Sequence, residues 1–113
     1  MNLNTRILET EYGSINYSYS LPNENYPTGL LLFMGSYVKK EFRGCGRFKD
    51  MVKTLFLSHP EKTLIQVALA NKNLVKLFER IGFKRVKWVE HWGLASNTTK
   101  LDGILTIDMI NKI

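Results

Sequence analysis

The segment from Leu30 to Phe48 constrains the fold more than any other part of this chain. It begins with Leu30 to Met34, which is apolar at every position, and a strand buried on both faces normally lies inside a sheet covered by helices. We therefore predict a central strand over Leu30 to Val38, with Gly35 marking a bulge or kink. Directly after it, residues 43–48 form a basic turn with two glycines, and this turn opens a helix.

This turn has the chemistry of a phosphate site. The first amides of a helix have no intrahelical partners, and the helix dipole adds positive charge there, so anions bind readily. Gly44 and Gly46 can adopt positive φ and let phosphate oxygens approach the backbone, while Arg43 and Arg47 supply guanidinium groups. The alternative is a basic loop whose glycines serve only chain geometry, since an isolated Arg-Gly-x-Gly is a weak signal.

The residues after the turn predict a strand-helix-strand unit. The helix must end before Pro60, and Thr63 to Ala70 is strand-like. One face of the helix carries apolar residues at i, i+3, i+4 and i+7, namely Phe48, Met51, Val52 and Leu55. This order implies a parallel pair of strands with a right-handed crossover, which brings the glycine turn to the carboxyl ends of the strands.

A second helix and two more strands are predicted in the rest of the chain. Asn71 is suited to cap the first turn of the helix, and Gly82 is placed to end it. The apolar face of this helix consists of Leu74, Leu77, Phe78 and Ile81. Phe83 to Val89 and Ile104 to Ile110 are predicted as two strands that are antiparallel neighbours, joined by a polar loop that contains Asn97, Thr98 and Thr99.

The beginning of the chain predicts antiparallel strands without helices. The alternation of residues from Ile15 to Tyr19 indicates a half-buried strand, paired in a hairpin with Ile7 and Leu8. No helical period appears before Gly46. A length of 113 residues fits one domain, so we expect a single α+β domain over residues 1–113, with a mixed sheet and two main helices.

Composition narrows the function classes. Cys45 is the only cysteine, and His59 and His91 are the only histidines, which argues against a disulfide framework and against a metal cofactor. No apolar run approaches the length of a membrane span, and no signal segment is recognisable, so we expect a cytoplasmic protein. The net charge of +6 favours an anionic ligand. The basic residues occur in small groups, which disfavours a nucleic-acid-binding tail.

Two segments together resemble the GNAT family of N-acetyltransferases. The first is the Val-x4-Arg-Gly-x-Gly pattern formed by Val38 and Arg43 to Phe48, which resembles the family's pyrophosphate loop. The second runs from Asn71 to Phe83 and is similar to the family's Asn-x-x-Ala-x-x-Leu-Tyr-x-x-x-Gly-Phe helix. The resemblance covers about Leu30 to Val89.

The resemblance implies a GNAT-like sheet, mostly antiparallel, that splays beside the central strand and holds acetyl-CoA in the resulting cleft. The amides of residues 43–48 would bind the pyrophosphate, and backbone near Tyr37 would hold the pantetheine arm like an added strand. An amide near Val38 would polarise the thioester carbonyl. The cofactor residues so implied are Tyr37, Val38, Arg43, Gly44, Cys45, Gly46, Arg47, Phe48, Asn71 and Phe78. For Asn71, helix capping is an equally good interpretation and is compatible with cofactor contact.

Two positions depart from the family pattern. Phe48 occupies the last loop position, where the family usually has Gly or Ala, and this alters the phosphate fit. Phe78 stands where many members carry a tyrosine that protonates the leaving thiolate, so that general acid is missing. General acids typically contribute ~10² to 10⁴-fold, and we expect a slower enzyme or one that uses water or another acid. Tyr37 and Cys45 are replacement candidates only by proximity.

The acceptor is the least constrained part of the prediction. The two helices that usually shape the acceptor site are not indicated before Gly46. The acceptor is a protein or a small amine. It would then be positioned at the cleft by the hairpins, by the Trp92 to Lys100 loop, by a second subunit in a homodimer, or by a large partner surface. Glu41, Glu90 and His91 are candidate bases by sequence position, although a solvated surface is the ordinary role of such residues.

Two other functions remain open from the sequence. A non-catalytic interaction protein could keep the fold, and perhaps CoA, for stability; Phe78 and the short N-terminal part motivate this alternative. A basic nucleic-acid-binding module is less favoured, because it depends only on charge and on aromatic residues that could stack on bases. Those aromatic residues are Tyr12, Tyr17, Tyr19, Trp88 and Trp92.

Overall fold

The computed structural model describes residues 5–87 and 98–113, which build a six-stranded mixed sheet and three α-helices. The strands are β1 (Thr5–Thr10), β2 (Gly13–Ser20), β3 (Leu30–Val38), β4 (Leu64–Leu69), β5 (Lys84–Arg85) and β6 (Thr99–Ile104). The helices are α1 (Arg47–Leu57), α2 (Lys72–Arg80) and α3 (Ile107–Asn111). The spatial order of the strands is β1-β2-β3-β4-β6-β5. The predicted α+β class with a mostly antiparallel sheet is confirmed.

Strand β3 lies inside the sheet and has the predicted bounds. It pairs antiparallel with β2 and parallel with β4, as the strand-helix-strand pattern indicates. Asn16 pairs with Gly35 while Tyr17 pairs with Phe33, so Met34 is an extra residue on β3. The predicted irregularity at Gly35 is therefore a β-bulge directly before it, and a bulge bends the strand that carries it.

The sheet divides next to this bulge. The pairing of β3 with β4 extends from Leu30 only to Phe33, which faces Val67. Beyond this point β3 continues along β2 as far as Val38, whereas β4 continues along β6 to Leu69. The two halves of the sheet separate at the carboxyl ends of the two parallel strands, which confirms the expected splay.

Helices α1 and α2 cover the same face of the sheet. The Phe33 ring centroid lies 6.3 Å from that of Phe48 on α1 and 6.0 Å from that of Phe78 on α2. Phe83, just after α2, lies 4.9 Å from Phe78 and stacks on Phe56 of α1 at 6.4 Å. Four of these rings belong to one continuous core that also includes Ile15 and Leu101 of the sheet, and the ring of Phe48 packs against this core. Both helices follow connections that move in the same direction along the sheet, and right-handed crossovers of this kind are expected to place their helices on one face.

Helix α2 begins and ends as predicted. The Asn71 side-chain oxygen accepts hydrogen bonds from the amides of Asn73 and Leu74, at 2.8 and 3.3 Å, which satisfies two amides that the helix itself leaves unpaired. Gly82 follows the helix with a φ of +117°, a conformation that favours glycine. The capping interpretation of Asn71 is thus confirmed.

The predicted strand Ile104 to Ile110 is wrong beyond its first residue. Strand β6 ends at Ile104, and Ile107–Asn111 is helical. The Thr106 hydroxyl accepts a hydrogen bond from the amide of Met109 at 3.1 Å, and Asp108 lies in the first turn. Both features favour a helix start, and the buried Met109 and Ile110 attach the helix to the core. This capping signal outweighs the strand preference of the isoleucines.

The predicted strand Phe83 to Val89 is confirmed as an antiparallel neighbour of β6, but only over Lys84–Arg85. Its last two residues lie outside the described part of the chain. Residues 5–46 contain no α-helix, as predicted, and only a short 3₁₀ turn at Lys40–Phe42. Among the helices of the described residues, none has the length and apolar character needed to cross a membrane.

Gly103 provides a stability test of the core. A Cβ atom at this position would lie 2.8 Å from three atoms of the Phe83 ring, and that ring is held by Phe56 and Phe78. Gly103→Ala should therefore lower the free energy of unfolding by about 1–3 kcal/mol, the usual cost of overpacking. Urea denaturation measures this change.

The matched control is Gly35→Ala, because a Cβ at Gly35 meets no atom within 4 Å. This variant should stay within about 0.5 kcal/mol of the wild type, as surface substitutions usually do. Equal stability of the two variants would contradict the packing of Phe83 on Gly103.

Candidate functional site

A cleft of about 320 Å³ lies between the glycine turn and the start of α2. Six residues predicted from the sequence line it, namely Val38, Arg43, Gly44, Gly46, Arg47 and Phe48. Five further residues that had not been singled out as site residues complete the lining, namely Phe42, Lys49, Asn73, Leu74 and Leu77. Leu74 and Leu77 were predicted only as part of an apolar helix face, and Asn73 carries no recognisable signal in the sequence.

The two glycines of the turn have the backbone conformation that their prediction requires. Gly44 has a φ of +80° and Gly46 a φ of +76°, in the left-handed region that side chains disfavour. A Cβ atom at either position would meet no atom within 4 Å. Glycine is therefore needed here for its backbone conformation, and the space in front of both residues is open to a ligand.

The amino-terminal end of α1 faces this cleft. Gly46 is the N-cap residue and offers no side-chain cap, and the first backbone hydrogen bond runs from the Asp50 amide to the Gly46 carbonyl at 3.3 Å. The amides of Arg47, Phe48 and Lys49 precede that bond and have no partner within the helix. Together with the helix dipole, they give the cleft the character of an anion site.

Arg43 connects the glycine turn to the end of β3. Its Nε donates a hydrogen bond to the Val38 carbonyl at 2.9 Å, and its guanidinium lies 5.5 Å from the centre of the Tyr37 ring. The side chain thus holds both residues that the family resemblance implies for the pantetheine arm. Tyr37 itself is 55% exposed and does not line the cleft.

Arg47 is held by residues that the sequence did not associate with it. Its guanidinium lies 4.4 Å from the centre of the Tyr12 ring, and its Nη1 donates to the Asp50 carboxylate at 3.1 Å. Tyr12 also packs edge-on against Phe42, with ring centroids 5.0 Å apart. The amide of Lys39 donates to the Tyr12 carbonyl at 2.8 Å. The tip of the β1–β2 hairpin therefore supports the turn from behind.

Hydrogen bonds with neighbouring carboxylates shift the pKa values of Arg47 and Tyr12. The hydrogen bond to Asp50 raises the pKa of Arg47, and the negative charge of that carboxylate adds to the effect. Arg47 is consequently a cation at every accessible pH. The pKa of Tyr12 is raised mainly by its side-chain hydrogen bond with Glu11, while the positive charge of Arg47 acts in the opposite direction.

The remaining predicted residues lie at or beyond the border of the cleft. Phe48 is half-buried against Phe33 while also lining the cleft. Cys45 is exposed at the tip of the turn, with its Sγ 3.8 Å from the Arg43 carbonyl oxygen. Asn71 and Phe78 are outside the lining; Phe78 is completely buried in the aromatic core. Contact of these last two residues with a cofactor stays a prediction.

Only part of the predicted acceptor machinery falls within the described residues. Glu41 is exposed in the 3₁₀ turn next to the cleft. Glu90 and His91 lie outside the described residues, as do Trp88 and most of the Trp92 to Lys100 loop.

The three tyrosines suggested for nucleic-acid stacking are engaged within the fold, whereas the two tryptophans lie outside the described residues. Tyr17 and Tyr19 pack on His59, at centroid distances of 5.8 and 4.7 Å, and Tyr12 packs on Phe42. All three tyrosines are partly buried against the core. They do not form an open platform for bases, so no described contact favours the nucleic-acid alternative.

Comparison with known proteins identifies the fold. No protein-family model matches the sequence, and no curated protein matches it significantly, but solved structures do. Arabidopsis thaliana NAA60 in complex with acetyl-CoA has a TM-score of 0.57 and 11% identity, over 83% of this chain and 65% of that one. Arabidopsis thaliana Naa50 in complex with the bisubstrate analogue CoA-Ac-MVNAL has a TM-score of 0.53 and 14% identity, over 80% and 63%.

A third match is the KacTA–DNA complex, with a TM-score of 0.54 and 14% identity over 88% of this chain and 64% of that chain. The chain thus spans less than two thirds of the length of each of these structures. The structural similarity establishes the architecture of this chain. The sequence identities are too low to establish its activity, which must be argued from the site. The chain has the fold of the GNAT N-acetyltransferases.

The conformation of Gly46 provides a test of the turn. Gly46→Ala should lower the free energy of unfolding by about 1 kcal/mol, because a left-handed conformation costs ordinary side chains roughly 1–2 kcal/mol. Gly46→Asn should cost less, since asparagine tolerates this conformation better. Urea denaturation of both variants measures the difference. Equal losses would contradict the assignment of the cost to the left-handed backbone conformation.

Proposed function

We propose that this protein is an N-acetyltransferase that transfers the acetyl group of acetyl-CoA to an amine. The observation that carries the proposal is that the sheet divides beside a cleft that is closed at one end by the glycine turn. The sheet separates after Phe33, and the open cleft beside this separation ends at the amino terminus of α1, with Gly44 and Gly46 in the left-handed conformation. The structural neighbours with acetyl-CoA and with a CoA-containing bisubstrate analogue support the same donor.

The proposed binding mode uses different parts of the cleft for different parts of the donor. The pyrophosphate binds the free amides at the start of α1, with Lys49 adding positive charge at the cleft wall. The pantetheine arm lies along residues 34–38 of β3, because the pairing with β4 has stopped at Phe33 and one strand edge faces the gap. Backbone groups on such an edge bind an extended chain as an added strand would.

The proposed reaction is a direct transfer in a ternary complex. The neutral amine nitrogen attacks the thioester carbonyl carbon, and the backbone amide of Val38 stabilises the negative charge that develops on the oxygen. The C–S bond then breaks and the electron pair leaves on sulfur, while water or a base removes the extra proton from nitrogen. A CoA thiol should resemble cysteine, whose pKa is about 8.5, so the thiolate leaves readily without an acid.

A second candidate is a CoA-binding protein without catalytic activity. The observation that favours it is Phe78, which has no hydroxyl and is completely buried. Binding and turnover must therefore be measured separately. Thiol release from acetyl-CoA in the presence of a panel of protein and small-molecule amines distinguishes the two candidates. Binding without release from any amine would favour the non-catalytic one.

Isothermal titration with acetyl-CoA tests the cleft. Gly46→Trp should abolish binding, because its side chain would extend into the space in front of the turn. Lys49→Glu reverses a charge in the lining and should weaken binding by about tenfold, equivalent to about 1.4 kcal/mol. Lys76→Trp, on the exposed part of α2 outside the lining, is the matched control and should bind normally. Absence of acetyl-CoA binding by the wild-type protein would refute the proposal.

The pH dependence of turnover tests the absence of a tyrosine acid. With a lysine side chain as acceptor, kcat/KM should rise with pH towards the acceptor pKa of about 10.4, because only the neutral amine attacks. No falling limb should appear from a protein group that must stay protonated. Steady-state rates between pH 6 and 9.5, corrected for uncatalysed thioester hydrolysis, measure the profile. A bell-shaped curve would indicate a general acid elsewhere in the protein.

A further inference from the structure

The start of α2 carries two asparagines that have different surroundings. The Asn71 Oδ1 accepts hydrogen bonds from the amides of Asn73 and Leu74, so its side-chain carbonyl is used by the helix. Asn71 does not belong to the lining of the cleft. The family resemblance implies a cofactor contact for that residue, and capping alone does not prevent one, but its side-chain oxygen is used by the helix and the residue lies outside the lining.

Asn73 lies two residues later and does line the cleft. It shares the α2 wall with Leu74 and Leu77, and the opposite wall is formed by the turn and the start of α1, including Gly46 and Phe48. Asn73 is exposed, and its side-chain amide has no hydrogen-bond partner within residues 5–87 and 98–113. An asparagine amide offers two donors and one acceptor, and here they are available to a ligand.

We propose that Asn73, and not Asn71, provides the side-chain hydrogen bond from α2 to the bound donor, and that it contacts the amide-bearing arm of CoA. This inference depends on the proposed function. The arm carries amide groups that both donate and accept, which an asparagine side chain complements. The diphosphate only accepts, and the amides of α1 already provide donors for it. The two apolar leucines beside Asn73 suit the alkyl parts of the same arm.

Four variants separate the roles of the two asparagines. Asn73→Ala should weaken acetyl-CoA binding about fivefold to tenfold, the effect of losing one hydrogen bond, without lowering the urea midpoint. Asn71→Ala should lower the urea midpoint, because the cap is lost. Asn71→Ser keeps a capping oxygen but removes the amide donors, so it should leave both stability and binding unchanged. Lys76→Ala controls for an exposed substitution on the same helix.

A second ligand locates the contact along the donor. 3′-Phosphoadenosine 5′-diphosphate contains the nucleotide part of CoA, including its diphosphate, without the arm. Asn73→Ala should bind it as the wild type does, while binding acetyl-CoA more weakly in the same titration conditions. Equal loss with both ligands would place the contact at the diphosphate and overturn the assignment to the arm.

The outcomes also separate this inference from the function on which it depends. If the wild-type protein binds acetyl-CoA and Asn73→Ala binds equally well, the assignment of Asn73 is wrong and the proposed donor stands. If Asn71→Ser loses affinity while remaining stable, Asn71 is the contact residue and the assignment is overturned. If the wild-type protein does not bind acetyl-CoA, the proposed function fails and this inference fails with it.

Discussion

The candidate site depends on the point where β3 and β4 stop pairing. Up to Phe33 and Val67 the two strands share a parallel ladder, and beyond this point each follows its other neighbour. The bulge at Met34 lies directly after the last pair, and a bulge increases the bend and twist of its strand. The aromatic core beneath this point, with Phe33 between Phe48 and Phe78, supports both helices where the sheet divides. A cleft next to a rigid core results.

The glycine turn is held in position by contacts on its far side. Arg43 binds the end of β3, and Arg47 is fixed between Tyr12 and Asp50. These arginines therefore support the turn in addition to giving it positive charge. The proposed anion site consists of backbone amides at the start of α1, whose orientation is set by the helix. Such an arrangement requires little reorganisation when a ligand binds, which is the general advantage of a preformed site.

Much of the fold could be predicted from the sequence because its signals are local. The apolar run from Leu30 and the helical spacing from Phe48 depend only on neighbouring residues, and the bounds of β3 follow from them. The prediction of a strand over Ile104 to Ile110 was wrong because it, too, used only local preference. Its β-branched residues favour a strand, but the Thr106 cap and the burial of Met109 decide for a helix. Local preference is weak when a cap and the core both oppose it.

The candidate site was predictable where one short segment forms it and unpredictable where separate segments meet. The sequence by itself determined the glycine turn, its position after a central strand, and the Asn71 cap, because each requires only a few consecutive residues with particular backbone or side-chain chemistry. Only the tertiary structure decided that Tyr12 supports Arg47 and that Asn73 faces the cleft. These two facts depend on how distant elements pack, and the spacing of residues along the chain carries no information about which of them meet.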